Sequence, residues 1–489
     1  MDGLFFNMFS NPAADYSGRP LGICQCDNCR RRFRARFGRD LPERPDADYQ
    51  AFLRDATRTM SETIRRLIKS KRPAAALVGT SPDVTDMVFS ESNTAVRRPL
   101  PLWPYASSDN VGRARNTYPQ KQAINQCMPF IDYPWRFALV PQAEIRTRLW
   151  QNVANGGPVA LNMHGTMDQE DRTALEAARP IYAWLKQHES SFVGQTPAAR
   201  VLLLGGGGRG FRSPEAAYRG MFRLLAEEHI PFGTVDNLDW LGKREVDLVV
   251  ATGEVPKELD AFVRNGGSLL IASSVAPPFD LGKAVKLWKD PDGAYFRIRD
   301  KSLFPSLKST DVTFLYGDYL EVEAMGPLTF IPPSMYGPPE LVHADWKNTH
   351  APGLILKQFG KGTVAWLPWN LGALYYQHSS EAHAGLVRDL VDHLLPQGRQ
   401  LKTNAHPLVE ITLMSRGDRH LVHLVNLSGH SQTGYFRAVP MSGIKVQVRG
   451  AFREARALQL GTSLTLARSG AYTEFTLPSL AEYEAVELR

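Results

Sequence analysis

The run Gly3-Leu4-Phe5-Phe6-Asn7-Met8-Phe9, almost wholly apolar, stands at the head of the chain and decides how its first third is read. A continuous apolar stretch bounded by turn-forming residues is the mark of a strand covered on both faces, as in parallel sheets. Working outward, Tyr49, Phe52, Leu53, Met60, Ile64, Leu67 and Ile68 recur at helical spacing and predict a helix over 46–71, closed by Pro73. Ala74 to Val78 and Met87 to Phe89 read as short strands, and a long loop rich in Pro and Arg follows. Ala123 to Cys127 reads as a strand, Gln142 to Ala154 as a helix, Val159 to Leu161 as a strand and Asp168 to His188 as a helix. Strands alternating with helices mean parallel βα units. About five strands are too few for a closed eight-stranded barrel of about 250 residues. The expectation for 1–190 is therefore a partial (β/α)8 TIM-type barrel whose first three units lie outside this sequence, with an open sheet as the alternative.

The pattern restarts at Arg200-Val-Leu-Leu-Leu204, followed by a glycine loop from Gly205 to Gly210 and a helix start at Ser213-Pro214. Phe232 to Asp236, Asp247 to Ala251, Ser268 to Ala272 and Gly362 to Pro368 read as further strands, with helices over 256–265 and 381–395. This predicts a flavodoxin-like, doubly wound α/β domain over 191–400, with β-like sequence from Gly282 to Leu341. From Leu408 onward short alternating strands, such as His420 to Asn426 and Thr473 to Leu477, predict a small β-sandwich over 401–489.

Bulk properties fit three soluble domains in 489 residues. The formal charge of +7 is spread along the chain, and its one local run, Arg30, Arg31, Arg32, Arg34 and Arg36, reads as a helix surface rather than a nucleic-acid site. No apolar run approaches the about 20 residues that span a bilayer. The first residues lack a basic start and a cleavage site, and four Cys suit a reducing compartment, so a cytoplasmic protein is expected.

The order Asp2-Gly3-Leu4-Phe5-Phe6-Asn7, Cys24-Gln-Cys26-Asp-Asn-Cys29, Phe33, Phe37-Gly38 and Leu41-Pro42 resembles the middle of the barrel in β-galactosidases of glycoside hydrolase family forty-two and related hypothetical glycosyl hydrolases. There the matching strand is the fourth. Gly266-Gly267-Ser268-Leu269 and Phe359-Gly360-Lys361-Gly362-Thr363-Val364 resemble the trimerisation domain of those enzymes, which has a class I glutamine-amidotransferase-like fold. The resemblance implies a glycosidase acting on β-galactoside-type oligosaccharides, a homotrimer, and a structural zinc. The sequence departs from the family where an Asn-Glu pair supplies the acid/base, because Asn7 is followed by Met8. In fucosidases, which share a similar strand, an Asp nucleophile stands where Asn7 does. A catalytically degenerate carbohydrate-binding or assembly protein is the alternative reading.

Glycoside hydrolysis needs two carboxyl groups facing one bond, and in a barrel they sit just after strand C-termini. By that rule Glu91, after Met87 to Ser90, and Asp132, after Ala123 to Cys127, are the expected catalytic pair. Each also suits a surface or capping carboxylate. Asn7, Asp15, Tyr133, Trp135 and Arg136 are the expected substrate-binding residues, since aromatic faces stack on sugars and Arg bonds hydroxyls, although the aromatic cluster also suits a core. Cys24, Cys26 and Cys29 are the expected zinc ligands, with three reduced, partly buried thiols as the alternative; structural zinc prefers four ligands, and Cys127 is on a distant strand. Gly205, Gly207 and Gly210 with Asp236 form a weak dinucleotide pattern, and Ser213-Pro214 starts the helix too late for it. All four Cys precede residue 128, which excludes a glutaminase nucleophile in the middle domain.

Overall fold

The structure, a computed structural model, describes residues 2–7, 9, 14–15, 19–205, 215–334, 337–341 and 349–489. Met8, most of the glycine loop with Gly207 and Gly210, and the Ser213-Pro214 helix start lie outside the described residues. The chain divides into two compact units, Met1–Ser90 with Gln120–Gln126, and Glu91–Pro119 with Cys127–Arg489. The division falls inside the stretch read as a barrel piece.

The first unit carries most of a four-stranded sheet in the order Gly3–Phe5, Ala76–Val78, Met87–Ser92, Gln122–Cys127. The pairings of Ala76–Val78 with both its neighbours are parallel, which is consistent with part of a barrel. The first strand, expected to be buried on both faces, is uncovered among the described residues. The strand runs only from Gly3 to Phe5 and every residue in it is exposed, Phe5 by 50%. It is the edge strand, and an apolar run is covered only where other elements pack on it. The long helix is Ala47–Lys71, with Asp46 as its N-cap accepting the N–H of Tyr49 at 2.8 Å. A shorter helix, Asp27–Phe37, turns Phe33 into the unit's small core while its Arg side chains face outward. Gly38 ends it in the left-handed conformation that favours glycine (φ 67°), with its N–H donating to the carbonyl of Arg34.

In the second unit the stretch read as a long loop holds a helix, Ala106–Thr117, nine of whose residues are buried. Polar groups hold it in place: Arg113 grips both oxygens of Asp109 at 2.8 and 3.0 Å, and the hydroxyl of Tyr218 donates to Asp109 at 2.6 Å. The expected strand Val159 to Leu161 reduces to one parallel bridge between Cys127 and Leu161, and the helix expected from Asp168 begins at Thr173. Glu144 and Arg148 sit one turn apart on the helix Gln142–Ala154, whose bounds match the expectation.

Beyond residue 200 a nine-stranded sheet forms. Its strands Phe232–Val235, Val201–Leu204, Leu248–Ala251, Ser268–Ala272 and Gly362–Leu367 lie side by side and parallel, which in chain order is 2-1-3-4-5, the flavodoxin-like doubly wound order. The stretch left as β-like supplies strands Tyr295–Ile298, Val312–Phe314 and Leu328–Ile331, which extend the sheet antiparallel through Pro352–Phe359. Helix Glu215–Glu227 packs on Leu371–Gln377 where Gly220 meets the backbone of Gly372, a contact too close for any side chain. The C-terminal strands form a six-stranded and a four-stranded sheet around one apolar core, as expected of a β-sandwich. Thr196–Pro197 joins the six-stranded sheet through Ser415 and Met414.

Candidate functional site

Asp132 closes the short strand Phe130–Asp132, which forms a hairpin with Trp135–Leu139. The hairpin was not foreseen, and it gathers four of the expected residues in one place. One carboxylate oxygen of Asp132 accepts the backbone N–H of Tyr133 at 2.7 Å and the other that of Val96 at 2.9 Å. These two bonds fix the direction of the carboxylate. The guanidinium of Arg136 lies over the Tyr133 ring, 5.2 Å from its centroid, and Trp135 is 54% exposed. An exposed indole beside a stacked Tyr–Arg pair is not core packing; it is surface that a planar or ring-shaped ligand can cover.

Glu91 lies within the strand Met87–Ser92 rather than after it and is half-buried. The side-chain amide of Asn93 donates to its carboxylate at 3.3 Å, and Asn110 donates to its carbonyl at 3.0 Å. The Val96 N–H that holds Asp132 belongs to the segment running on from Glu91. Asn7 stands in an exposed turn after Gly3–Phe5, and Asp15 is exposed, its carboxylate accepting the N–H of Arg19 at 3.0 Å; both belong to the first unit.

Sequence reasoning missed two parts of this region. His164 meets Phe130 edge to face at 4.8 Å, and burial, with Arg136 nearby, lowers its pKa. Its signal was its place two residues beyond Asn162, whose N–H donates to Cys127 where the expected strand ends. The second part is a buried ion triad. Arg148 donates to the carbonyls of Ser92 and Met128, each at 3.0 Å, and to that of Asn93 at 3.3 Å. Glu144 binds Arg148 at 2.6 Å and Arg98 at 2.8 Å. The triad therefore fastens the backbone on both sides of the residues that carry Glu91 and precede Asp132.

In the first unit the sulfurs of Cys24, Cys26 and Cys29 all lie within 4.8 Å of one another. The backbone N–H of Cys29 and the neighbouring thiols lower the pKa of Cys26, whereas burial, reinforced by those thiols, pushes Cys29 up to about 12. The trio fits three ligands of a structural zinc.

Among the described residues, no helix is long and apolar enough to cross a membrane. Asp236, the partner expected of the glycine loop, lies 3.9 Å from Arg113.

No family model matches the chain, and no curated protein sequence does. Solved structures do. Over all of this chain and 77% of its own, α-L-fucosidase isoenzyme 2 from Paenibacillus thiaminolyticus superposes with a TM-score of 0.79 at 17% identity. A family forty-two β-galactosidase from G. stearothermophilus gives 0.64 at 14% identity, covering 96% of this chain and 77% of that one. The β-galactosidase from Bacillus circulans sp. alkalophilus gives 0.62 at 14% identity, with the same coverage. The chain thus has the fold of the family forty-two β-galactosidases, shared with an α-L-fucosidase.

Proposed function

We propose that this protein is a glycoside hydrolase acting on β-galactoside-type or related oligosaccharides, with Glu91 and Asp132 as its carboxylate pair. The observation that carries the reading is the hairpin. It presents an oriented carboxylate, Asp132, beside the exposed Trp135 and the Tyr133–Arg136 stack, on a fold that known glycosidases use. One carboxyl protonates the glycosidic oxygen, and the other attacks the anomeric carbon or activates water against it. The Arg98–Glu144–Arg148 triad acts as a positioning element, holding the strand ends from which both acids project. The test is turnover of nitrophenyl β-D-galactoside and nitrophenyl α-L-fucoside by the full chain and by Glu91→Gln and Asp132→Asn.

A second reading, a carbohydrate-binding or assembly protein without catalysis, is favoured by Asn7, which stands where the resembling enzymes carry or adjoin a catalytic acid. It predicts saturable galactoside binding with no turnover. Under either reading we propose that the doubly wound domain mediates self-association, most simply as a trimer, and that the Cys24, Cys26, Cys29 trio holds zinc. Light scattering tests the first, and a strict monomer at micromolar concentration contradicts it.

A further inference from the structure

A cleft of about 580 Å³ opens at the edge of the doubly wound domain. Arg200, Asp247 and Gly267, which line it, each immediately precede a parallel strand, so the cleft sits at the N-terminal ends of the sheet. Neither Glu91 nor Asp132 lines it. Its size falls in the range of roughly 300–1,000 Å³ typical of small-molecule sites.

Two donors of the lining are buried without an acceptor among the described residues: the indole N–H of Trp240, a residue only 6% exposed, and the Nε–H of Arg200. A buried donor left unpaired is costly, so two at one cleft point to acceptors supplied by what occupies it. The wall carries three carboxylates, Glu245, Asp247 and Glu258, against two guanidiniums, Arg200 and Arg244. Arg200 holds Asp247 at 2.6 Å and Glu245 at 3.0 Å, and Arg244 donates to Asn116 at 2.8 Å and to the carbonyl of Ala199 at 2.5 Å. With acids outnumbering bases on the lining, an anion is not favoured there. Trp240 and Phe262 meet edge to face at 5.7 Å, and Glu258 on the same lining is exposed. Aromatic surface, two unpaired donors, an open carboxylate and no excess of positive charge together suit a neutral ligand that carries many hydroxyls and apolar C–H faces.

We propose that this cleft is a second saccharide-binding site, for neutral oligosaccharides, separate from the Glu91 and Asp132 region. It binds and does not cleave. The test uses the full chain labelled with 5-fluorotryptophan, with the fluorine resonance of Trp240 assigned by its disappearance in Trp240→Phe. Lactose, cellobiose, maltose and xylobiose are titrated, with glucose 6-phosphate as the anionic counterpart. At least one neutral disaccharide shifts the Trp240 resonance saturably, and Glu258→Ala weakens that binding about tenfold. The shift is the same in Glu91→Gln, which separates this site from the proposed catalytic one. If no neutral disaccharide shifts the resonance, if glucose 6-phosphate binds more tightly than all of them, or if Glu91→Gln abolishes the shift, the proposal is overturned.

Discussion

The parallel sheets of the two units are built from similar apolar sequence but stand in opposite surroundings. In the second unit every residue of Val201–Leu204, Leu248–Ala251 and Ser268–Ala272 is buried, whereas in the first none of Gly3–Phe5 is. The first unit's apolar clusters are small, one around Phe33 and one around Leu77, while its ion pairs are many and exposed. Arg39 with Asp46 and Asp48 is one example, while Asp86 with Arg65 and Lys69 is half-buried. Apolar composition alone does not make a core; layers packed on both faces do. The second unit should therefore answer to changes in packing and buried charge, and the first to charge and ligands at its surface.

The sharpest contrast lies between ion pairs. Glu144 is buried between Arg98 and Arg148, so Glu144→Ala leaves a buried and a half-buried guanidinium without their counter-charge. It should cost about 3–5 kcal/mol in urea unfolding. Asp48→Ala removes an exposed partner of Arg39 and should leave the unfolding midpoint unchanged. Comparable losses in the two variants would break the distinction. Packing gives the next contrast: Leu203 is fully buried and Leu4 is 36% exposed. Leu203→Ala should cost about 2–5 kcal/mol, and Leu4→Ala less than about 1 kcal/mol.

The response to pH sharpens the comparison further. All twelve histidines follow residue 163, so the first unit has none. In the second, burial lowers His423 to about 3 and His229 and His383 to about 4. The unfolded chain binds protons near pH 6.5 and the folded one does not, so stability falls as pH drops from about 6.5 toward 4, by an amount on the order of a few kcal/mol. In the first unit, burial pushes the Asp86 carboxyl up, but the N–H of Leu77 together with Lys69 and Arg65 outweighs it and holds the group below the usual carboxylate range. Its contribution is present above the unfolded pKa and is lost only as pH falls through the lower, folded value. Urea unfolding at pH 7 and pH 5, followed in each unit, should show the second weakening and the first hardly changed. The smallest expected effect is that of zinc: one equivalent should raise the first unit's midpoint alone, and Cys26→Ser should abolish the gain.

The same difference governs what could be read from the sequence. Val201–Leu204 and its neighbours were legible because full burial leaves an unbroken apolar run, and Gln142–Ala154 because its spacing is helical. Ala106–Thr117 was not, because most of its buried residues are polar, among them Ser107, Ser108, Asp109, Arg115 and Asn116, and only Val111 and Ala114 are apolar side chains. The strand Gly3–Phe5 is shorter than the apolar run that predicted it. At the candidate site the residue types around Asp132 were legible, but not the hairpin that assembles them, whose strands are too short to leave a pattern. The triad was half-visible in the four-residue spacing of Glu144 and Arg148; Arg98, 46 residues from Glu144, was not.

The most direct test of the account is hydrolysis of nitrophenyl glycosides by the wild type and two neutral variants. Turnover should be measurable on a β-galactoside or a related glycoside. Glu91→Gln and Asp132→Asn should each lower it at least about a hundredfold while the unfolding midpoint stays put, since the lost group acts in the transition state. Wild-type rates in either variant, or saturable galactoside binding with no turnover by the wild type, would contradict it.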